Sequence, residues 1–446
     1  MKPLEEPSDP LDQETRVRLL KTPRPRSLPI LPSAENTKSG FRGPLPPLAD
    51  EARDIDRECR PIYAVWELTL ACDLACRHCG SRAGAERPDE LGTEEAKDLV
   101  RQMADLGIRE VALIGGEVYL HDGWLEVVRE IRACGMQSTV VTGGRGMTKT
   151  RAAEAKAAGV QSVAVSIDGC RETHDRLRGF SGSYDAAIAA LSNCRQAGMQ
   201  VAINTQINRL NLIDLPHIFQ LLSLVGAHGW QVQLTVPVGR AADEPEVILQ
   251  PYDLLELFPL LASLSEACRA GRIKMMVGNN IGYYGPFEHI LRRHAVEQHG
   301  ESCSAGISTL GIESNGDIKG CPSLPTESWV GGNIRREKLV SIWQRSRPLR
   351  HMRDRTDQER WGYCASCYYG EVCRGGCTWM ATALFEKPGN NPYCHHRALE
   401  MQKMGKRERV VRTREAEGLP FDRASFVIET DELGDLGMPD PILDRV

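Results

Sequence analysis

Apolar positions between residues 58 and 250 follow a pattern that predicts helices and strands in alternation. Trp124, Val127, Val128 and Ile131 fall at i, i+3, i+4 and i+7, which is the apolar stripe of an amphipathic helix. Short apolar runs between such stretches predict strands. The predicted strands cover residues 64–70, 111–114, 138–141, 162–167, 201–207 and 232–236. The predicted helices cover residues 93–106, 124–131, 149–158, 184–197 and 215–225.

This alternation predicts an α/β fold in which helices wrap a parallel sheet or barrel. In barrels of this kind the chemistry lies on loops that leave the carboxyl ends of the strands. We therefore assign residues 58–250 to a core barrel and look for functional residues where its strands end.

The segments that flank the barrel differ from it in composition. Residues 1–57 are rich in Pro and Ser and predict an extended arm, with one short helix around residues 11–20. Residues 251–300 predict a helical bridge, and residues 301–400 form a Cys-rich domain. The charged tail, residues 401–446, is basic at first and then acidic, which favours a solvated helix followed by a flexible end.

Composition limits the partners that this chain can have. Its 446 residues carry a formal net charge of −5, so no overall charge attracts nucleic acid or an acidic membrane. No apolar run approaches the roughly 18 residues of a spanning helix, and the first ten residues lack the order of a signal peptide. We expect a cytoplasmic protein without nucleic-acid or membrane partners.

Cysteine is unusually frequent, and ten of the 15 cysteines fall into two groups. Thiols in the cytosol stay reduced, so clustered cysteines there are expected to be metal ligands rather than disulfides. Five others are scattered, and we expect them to be buried as small apolar side chains. The scattered cysteines are Cys59, Cys134, Cys170, Cys194 and Cys268.

The first group is Cys72-x3-Cys76-x2-Cys79, on a short loop after the first predicted strand. Three ligands on a four-iron cluster leave one iron open, as a catalytic site requires, whereas zinc needs a fourth ligand such as His78. The motif resembles that of the radical S-adenosylmethionine (SAM) superfamily. The resemblance implies a partial (β/α)6 TIM-like barrel, SAM bound at the open iron and reductive cleavage to a 5′-deoxyadenosyl radical. It places His78 near the adenine, where the family usually has an aromatic residue.

Further motifs match the family residue by residue. Gly115, Gly116 and Glu117 resemble the Gly-Gly-Glu motif that contacts the SAM amino group; glycines let the backbone approach a ligand, and a carboxylate complements an ammonium. Ser166 and Arg178 match residues that help to hold the SAM carboxylate or ribose. Asn204 and residues 238–241 match segments that line the SAM site. The chain departs from the family at Cys170 and at residues 142–144, which read Thr-Gly-Gly in place of Thr-Asn-Gly.

The second group consists of Cys303 and Cys321, then Cys364-x2-Cys367-x5-Cys373-x3-Cys377, and then Cys394. Zinc ribbons also use Cys-x2-Cys pairs, but the pattern of seven cysteines resembles that of the SPASM domain, which holds auxiliary iron–sulfur clusters. Seven thiolates cannot fully ligate two four-iron clusters, because eight are needed. The resemblance therefore implies one fully ligated auxiliary [4Fe-4S] cluster and a second with a non-Cys ligand or an open iron. It assigns Cys364, Cys367, Cys373 and Cys394 to the first and Cys303, Cys321 and Cys377 to the second.

The resemblance favours a maturase that modifies a ribosomal precursor peptide by a crosslink, a thioether, an epimerisation or an excision. Such an enzyme needs an electron donor such as flavodoxin or ferredoxin. It also calls for a separate leader-recognition protein or a different docking surface, because the N-terminal arm is too short and Pro-rich for that role. One alternative is a formylglycine-generating sulfatase maturase, which typically has an eighth auxiliary cysteine; Thr309 stands in the interval where it would lie. Another is a non-catalytic iron–sulfur redox scaffold.

Overall fold

The computed structural model describes residues 59–281, 284–292 and 303–433. A ten-stranded sheet in the order β10-β9-β8-β1-β2-β3-β4-β5-β6-β7 organises the chain, and β11 and β12 form a separate hairpin. The strands are β1 (Tyr63–Glu67), β2 (Glu110–Ile114), β3 (Gln137–Thr142), β4 (Ser162–Ser166), β5 (Gln200–Ile207), β6 (Gly229–Leu234), β7 (Lys274–Val277), β8 (Thr309–Ile312), β9 (Asp317–Lys319), β10 (Gly332–Asn333), β11 (Lys406–Arg414) and β12 (Ser425–Glu432).

Helices connect and cover the parallel strands. The described helices are α1 (Thr93–Leu106), α2 (Trp124–Ala133), α3 (Lys149–Ala158), α4 (Arg171–Arg178), α5 (Ser183–Gln196), α6 (Leu215–Val225), α7 (Arg240–Asp243), α8 (Leu254–Ala270), α9 (Glu288–Leu291), α10 (Thr326–Trp329), α11 (Leu339–Arg345), α12 (Arg347–Asp354), α13 (Gly370–Cys373), α14 (Thr378–Phe385) and α15 (His395–Lys403).

The predicted α/β architecture with a parallel sheet is confirmed, because β1 to β6 pair in parallel in sequence order. Helix α1 shows how local sequence sets an element: Glu95 accepts a hydrogen bond from the Gly92 N–H (3.0 Å), and the helix stops at Gly107 with φ 95°. The apolar stripe predicted on α2 is buried against the sheet. Sequence periodicity thus predicts the bounds of the barrel helices and strands to within a few residues of those in the structure.

The sheet continues beyond the six predicted strands at both edges. The segment expected to be only a helical bridge contains helix α8 and also strand β7, which pairs in parallel with β6, with Met275 opposite Trp230. At the other edge β8 pairs in parallel with β1, with Leu310 opposite Ala64. Both added strands have only four residues, too few for periodicity to identify. The Cys-rich region is therefore continuous with the barrel sheet.

The C-terminal segment is an antiparallel hairpin, so the predicted solvated helix with a flexible end is wrong for residues 406–432. Strand β11 pairs with β12, with Val410 opposite Ile428. Arg409 donates to Asp431 (2.8 Å) and to Glu429 (2.9 Å) across the hairpin. The basic and acidic runs are complementary across two strands rather than along one helix. The predicted N-terminal arm and residues 434–446 lie outside the described residues.

Contrary to the expectation that no apolar run is long enough, one described helical stretch, Pro245–Ala270, has the length and hydropathy to cross a membrane, and 72% of its most apolar window is buried inside the protein. Its side chains Leu257, Leu261 and Leu264 are almost fully buried in the main hydrophobic core. The stretch packs as a core helix against the barrel.

Candidate active site

The three cysteines of the first motif lie on the loop after β1, where Cys72, Cys76 and Cys79 all line one cavity of about 1590 Å³ that includes its open mouth. Arg240 fixes this loop through hydrogen bonds to its backbone. Its Nε donates to the Cys76 carbonyl (2.7 Å), and its Nη atoms donate to the Ala83 carbonyl (3.1 Å). The backbone N–H of Arg240 also donates to the Cys79 carbonyl (3.0 Å). Arg240 is therefore a positioning residue for the loop, which the motif at residues 238–241 indicated only as a region.

Three thiols that line one cavity form a donor set that fits an iron–sulfur cluster. Burial raises the pKa of Cys72 to about 12 and also raises the pKa of Cys76, and negative charge on the neighbouring cysteines acts in the same direction. A cationic cluster would reverse this preference, because its ligands would bind as thiolates and release their protons. Within the described residues, no three His, Cys, Asp or Glu side chains are arranged to hold a single metal ion. The three thiols therefore line one cavity but do not converge on a single position within it.

Gly115 and Gly116 let the end of β2 pack directly on the cysteine loop. A Cβ on Gly115 would lie closer than 3.0 Å to the Thr69 carbonyl oxygen, and one on Gly116 equally close to that of Ala71. The N–H of Gly116 donates to the Thr69 carbonyl (2.8 Å). The two glycines therefore set the position of the loop, whatever else they contact.

We expect Gly116→Ala to destabilise the protein by about 3 kcal/mol, since the added Cβ displaces the Ala71 carbonyl next to Cys72. The displaced loop should also bind less iron. Iron content and the thermal unfolding temperature are both measured after anaerobic reconstitution. Gly84→Ala is the matched control, because Gly84 bonds to the same loop and a Cβ there meets nothing within 4 Å. Equal iron content in the Gly116→Ala variant and the parent would contradict this account.

Glu117, which follows the two glycines, is buried at the edge of the cavity. Thr142 Oγ1 donates to its Oε2 (2.6 Å), and the Gly143 N–H donates to its Oε1 (2.5 Å). Burial raises the pKa of Glu117 to about 7, against these two hydrogen bonds. The Gly143 that departs from the family pattern thus supplies a backbone donor to this carboxylate. Its contact with the SAM amino group remains a prediction.

A buried charge network lies beside the cysteine loop and centres on Asp168. Arg178 pairs with the Asp168 carboxylate (2.5 Å), and His78 Nε2 lies 3.1 Å from the same oxygen. Burial alone would raise the pKa of Asp168, but Arg178 and His78 hold it well below its usual range. Arg178 also reaches Cys76 Sγ (3.6 Å). The sequence motifs assigned roles to Arg178 and His78, whereas Asp168, which is part of the motif over residues 166–169 two residues after the end of β4, was given none.

The remaining predicted SAM contacts meet inside the barrel. Ser166 on β4 lies opposite Asn204 on β5, and both line the cavity. Three further amide side chains line the same cavity and were not singled out from the sequence, although they alternate along the strands. They are Gln206, Gln231 and Gln233.

The second cysteine group divides into two sets in the structure. Cys303, Cys321 and Cys377 are close enough for their charges to interact, and burial raises the pKa of Cys303 to about 11. Pro322 and Ser323, directly after Cys321, line the main cavity. This set therefore lies beside the cavity that the first motif also lines.

The other set lines a separate pocket of about 400 Å³ together with Tyr284 and Tyr369. Its cysteines are those that the resemblance grouped together, namely Cys364, Cys367, Cys373 and Cys394. The structure thus assembles the seven cysteines in the two expected sets, and their role as cluster ligands remains a prediction.

The scattered cysteines lie apart from the main cavity and are not among its lining residues. Cys59, Cys194 and Cys268 are buried, as expected, whereas Cys134 and Cys170 are only partly buried. The Cys170 thiol lies 3.4 Å from Thr173 Oγ1 at the start of α4.

Comparison with known proteins places these features in a family. The sequence model of the radical SAM superfamily matches residues 66–222, and that of the SPASM iron–sulfur cluster-binding domain matches residues 303–368. The chain is 30% identical over 345 residues to AdoMet-dependent heme synthase of Methanosarcina barkeri, covering 76% of this chain and 97% of that protein. It is also 30% identical over 359 residues to mycofactocin maturase MftC of Mycobacterium tuberculosis, covering 79% of this chain and 86% of that protein.

Solved structures share the fold. Streptococcus suis SuiB bound to S-adenosylmethionine superimposes with a TM-score of 0.60 at 17% identity, covering 75% of this chain and 76% of that one. The anSMEcpe structure with bound AdoMet gives a TM-score of 0.59 at 16% identity, covering 76% of this chain and 96% of that one. The chain therefore belongs to the radical SAM superfamily of enzymes, whose core binds a [4Fe-4S] cluster and SAM, and it carries an iron–sulfur-binding SPASM domain.

Proposed function

We propose that this enzyme modifies a ribosomally made precursor peptide by net oxidation. Cys72, Cys76 and Cys79 would hold the SAM-binding cluster, which supplies, with SAM, a 5′-deoxyadenosyl radical for hydrogen abstraction. Glu117, Ser166 and the network around Asp168 would orient SAM. The observation that carries the proposal is the uncharged amide wall of the cavity, formed by Gln206, Gln231 and Gln233.

The amide wall suits a polypeptide backbone. Gln206 on β5 lies opposite Gln233 on β6, and Gln231 lies on the same strand as Gln233, two residues before it, so the three amides occupy neighbouring positions. Each side-chain amide offers donors and an acceptor, and a peptide group offers one of each. A peptide can therefore satisfy this wall without bringing any charge.

The charges of the cavity disfavour the porphyrin substrate that the heme synthase relatives suggest. Porphyrin precursors of heme carry carboxylate side chains, which proteins bind with Arg or Lys. Among the described residues that line the cavity the cations are Arg178 and Arg240, and both already bind groups around the cysteine loop. The part of the cavity wall that we assign to the substrate instead presents the neutral amides of Gln206, Gln231 and Gln233 and the acidic Glu67.

The position of the thiols favours oxidation over epimerisation. A radical epimerase needs a hydrogen donor on the far face of the substrate, and a thiol is well suited to this role. The cysteines that line the described cavity are those of the first motif. In contrast, residues next to Cys321 line the cavity, so an auxiliary cluster there could accept an electron. A crosslink, a thioether or an excision fits this arrangement.

The sulfatase-maturase alternative gains no support from the region of the predicted eighth cysteine. Thr309 stands there, begins β8 and has its hydroxyl 2.9 Å from Ser304 Oγ. Family membership as an enzyme also argues against the redox scaffold.

The test compares the two classes of substrate in separate reactions. Reconstituted enzyme with SAM and dithionite is offered the small peptides encoded beside its gene or, separately, iron coproporphyrin. We expect a peptide product of altered mass together with 5′-deoxyadenosine, and no change in the porphyrin. Decarboxylation of the porphyrin with every peptide unchanged would overturn the proposal. Flavodoxin or ferredoxin and a separate leader-recognition protein are further proposed partners, tested by adding each to the assay.

The amide wall makes its own prediction. Replacing Gln231 and Gln233 together by Leu should lower kcat/KM for the peptide about 10- to 100-fold, because each unpaired peptide group costs about 1 kcal/mol or more. The effect should appear mainly in KM. Gln200→Leu, at the exposed start of β5, is the control and should leave both constants unchanged. An unchanged KM in the double variant would show that the amide wall does not bind the substrate.

A further inference from the structure

Glu67 is a buried carboxylate at the end of β1 that lines the same cavity as the cysteine motif. Arg87 Nη2 lies 3.1 Å from its Oε1, and Ser314 Oγ donates to the same oxygen at 3.4 Å. These contacts leave Oε2 as the oxygen available to the cavity. Burial raises the pKa of Glu67 to about 7, with Arg87 acting in the opposite direction. A carboxyl group in this range can exchange a proton near neutral pH.

The charges around Glu67 form a compact network that is nearly sealed from solvent. Arg87 also pairs with Glu313 (3.2 Å), and Lys319 pairs with the other oxygen of Glu313 (2.5 Å). The network thus holds two carboxylates and two cations. Glu67 is the member of this network that lines the cavity, since Arg87, Glu313 and Lys319 do not.

The same wall of the barrel leads to Cys321. Strand β1 pairs with β8, β8 pairs with β9, and β9 ends at Lys319, two residues before Cys321. Pro322 and Ser323 then return to the cavity. A proton acceptor and the proposed site of an electron acceptor therefore lie along one connected wall of the cavity.

We propose that Glu67 is the general base of the reaction, accepting the proton that the substrate loses as its radical is oxidised. This inference rests on the proposed peptide oxidation. Hydrogen abstraction gives 5′-deoxyadenosine and a substrate carbon radical. Closure onto a substrate heteroatom forms one carbon–heteroatom bond, breaks one heteroatom–hydrogen bond, and releases one proton and one electron. The proton would go to the Glu67 carboxylate, and the electron would go to the iron–sulfur cluster that Cys303, Cys321 and Cys377 would hold.

The proposal has a definite pH dependence. A base must be ionised, so product formation should rise as pH increases through about 7, the pKa raised by the burial of Glu67. Arg87 and Lys319 favour the ionised form, whereas Glu313 opposes it. Removing the Glu313 charge should therefore shift the rise to lower pH.

The experiment compares Glu67→Gln and Glu67→Asp with the parent, all reconstituted to equal iron content. Loss of a general base should slow product formation about 100-fold and raise the number of 5′-deoxyadenosine molecules formed per product. Glu117, whose pKa burial also raises to about 7, is present in every variant, so the rise through about pH 7 should be weaker in Glu67→Gln rather than absent. Glu67→Asp should restore part of the rate with a pH-dependent profile. A second readout does not need turnover: infrared titration of the parent should show a carboxyl group near pH 7 that Glu67→Gln lacks.

The outcomes separate this inference from the proposed function. If the parent modifies no peptide, the proposed function fails and the infrared titration alone decides whether Glu67 titrates in this range. If the parent makes product and Glu67→Gln makes it at the parental rate with the same pH profile, Glu67 is not the base. If Glu67→Gln loses iron or solubility, Glu313→Gln replaces it, and an unshifted pH profile in that variant overturns the proposal.

Discussion

Replacing Cys72, Cys76 and Cys79 together with alanine should remove about four of about twelve irons and abolish cleavage of SAM. These three thiols line the main cavity together, whereas the other seven clustered cysteines lie in two separate sets. Losing the first set should therefore leave the auxiliary clusters in place. The measurements are iron and sulfide content after anaerobic reconstitution, and 5′-deoxyadenosine formed with dithionite.

Cys134→Ala is the matched control, because Cys134 is partly buried at the end of α2 and does not line the cavity. It should retain all iron and full SAM cleavage. Full iron content in the triple variant would show that these thiols hold no cluster. Tightly bound zinc without iron in the parent would contradict the assignment of all three sets.

Cys321→Ala should stop net oxidation of the peptide while some reductive SAM cleavage continues. Hydrogen abstraction leaves a carbon radical, and a closed-shell product requires one more electron to depart. Cys321 precedes Pro322 and Ser323 on the cavity wall and lies near Cys303 and Cys377, so this set is well placed to hold the acceptor. The assay measures 5′-deoxyadenosine beside peptide product in the parent and the variant.

Cys170→Ala is the control for Cys321→Ala, since the Cys170 thiol contacts Thr173 and does not line the cavity. Product formed at the parental rate by Cys321→Ala would exclude its cluster as electron acceptor. A parental product with unchanged mass and altered stereochemistry would identify an epimerase, and net oxidation would then be the wrong premise.

Local sequence was sufficient to predict the helices and strands of the barrel, whereas the division of the second cysteine group into two sets came from the resemblance to the SPASM domain. Periodicity identified α1 and α2 because each has enough turns to show a stripe, and the spacing of Cys72, Cys76 and Cys79 reflects one short loop. The hairpin β11–β12 was not predicted, because the charged residues that pair across it, such as Arg409 and Glu429, are 20 or more residues apart in the sequence. A pattern read along one segment cannot show with which other segment it pairs.

The sequence by itself determined the class of chemistry: three cysteines after a first strand, a Gly-Gly-Glu at the second, and seven cysteines behind them. Only the tertiary structure decided what surrounds that chemistry. Asp168 becomes the centre of a charge network because α4 brings Arg178 back to it, and Glu67 meets Glu313 through Arg87 because β8 pairs with β1. The strength of a charge depends on burial and on partners distant in sequence, and folding alone brings these together.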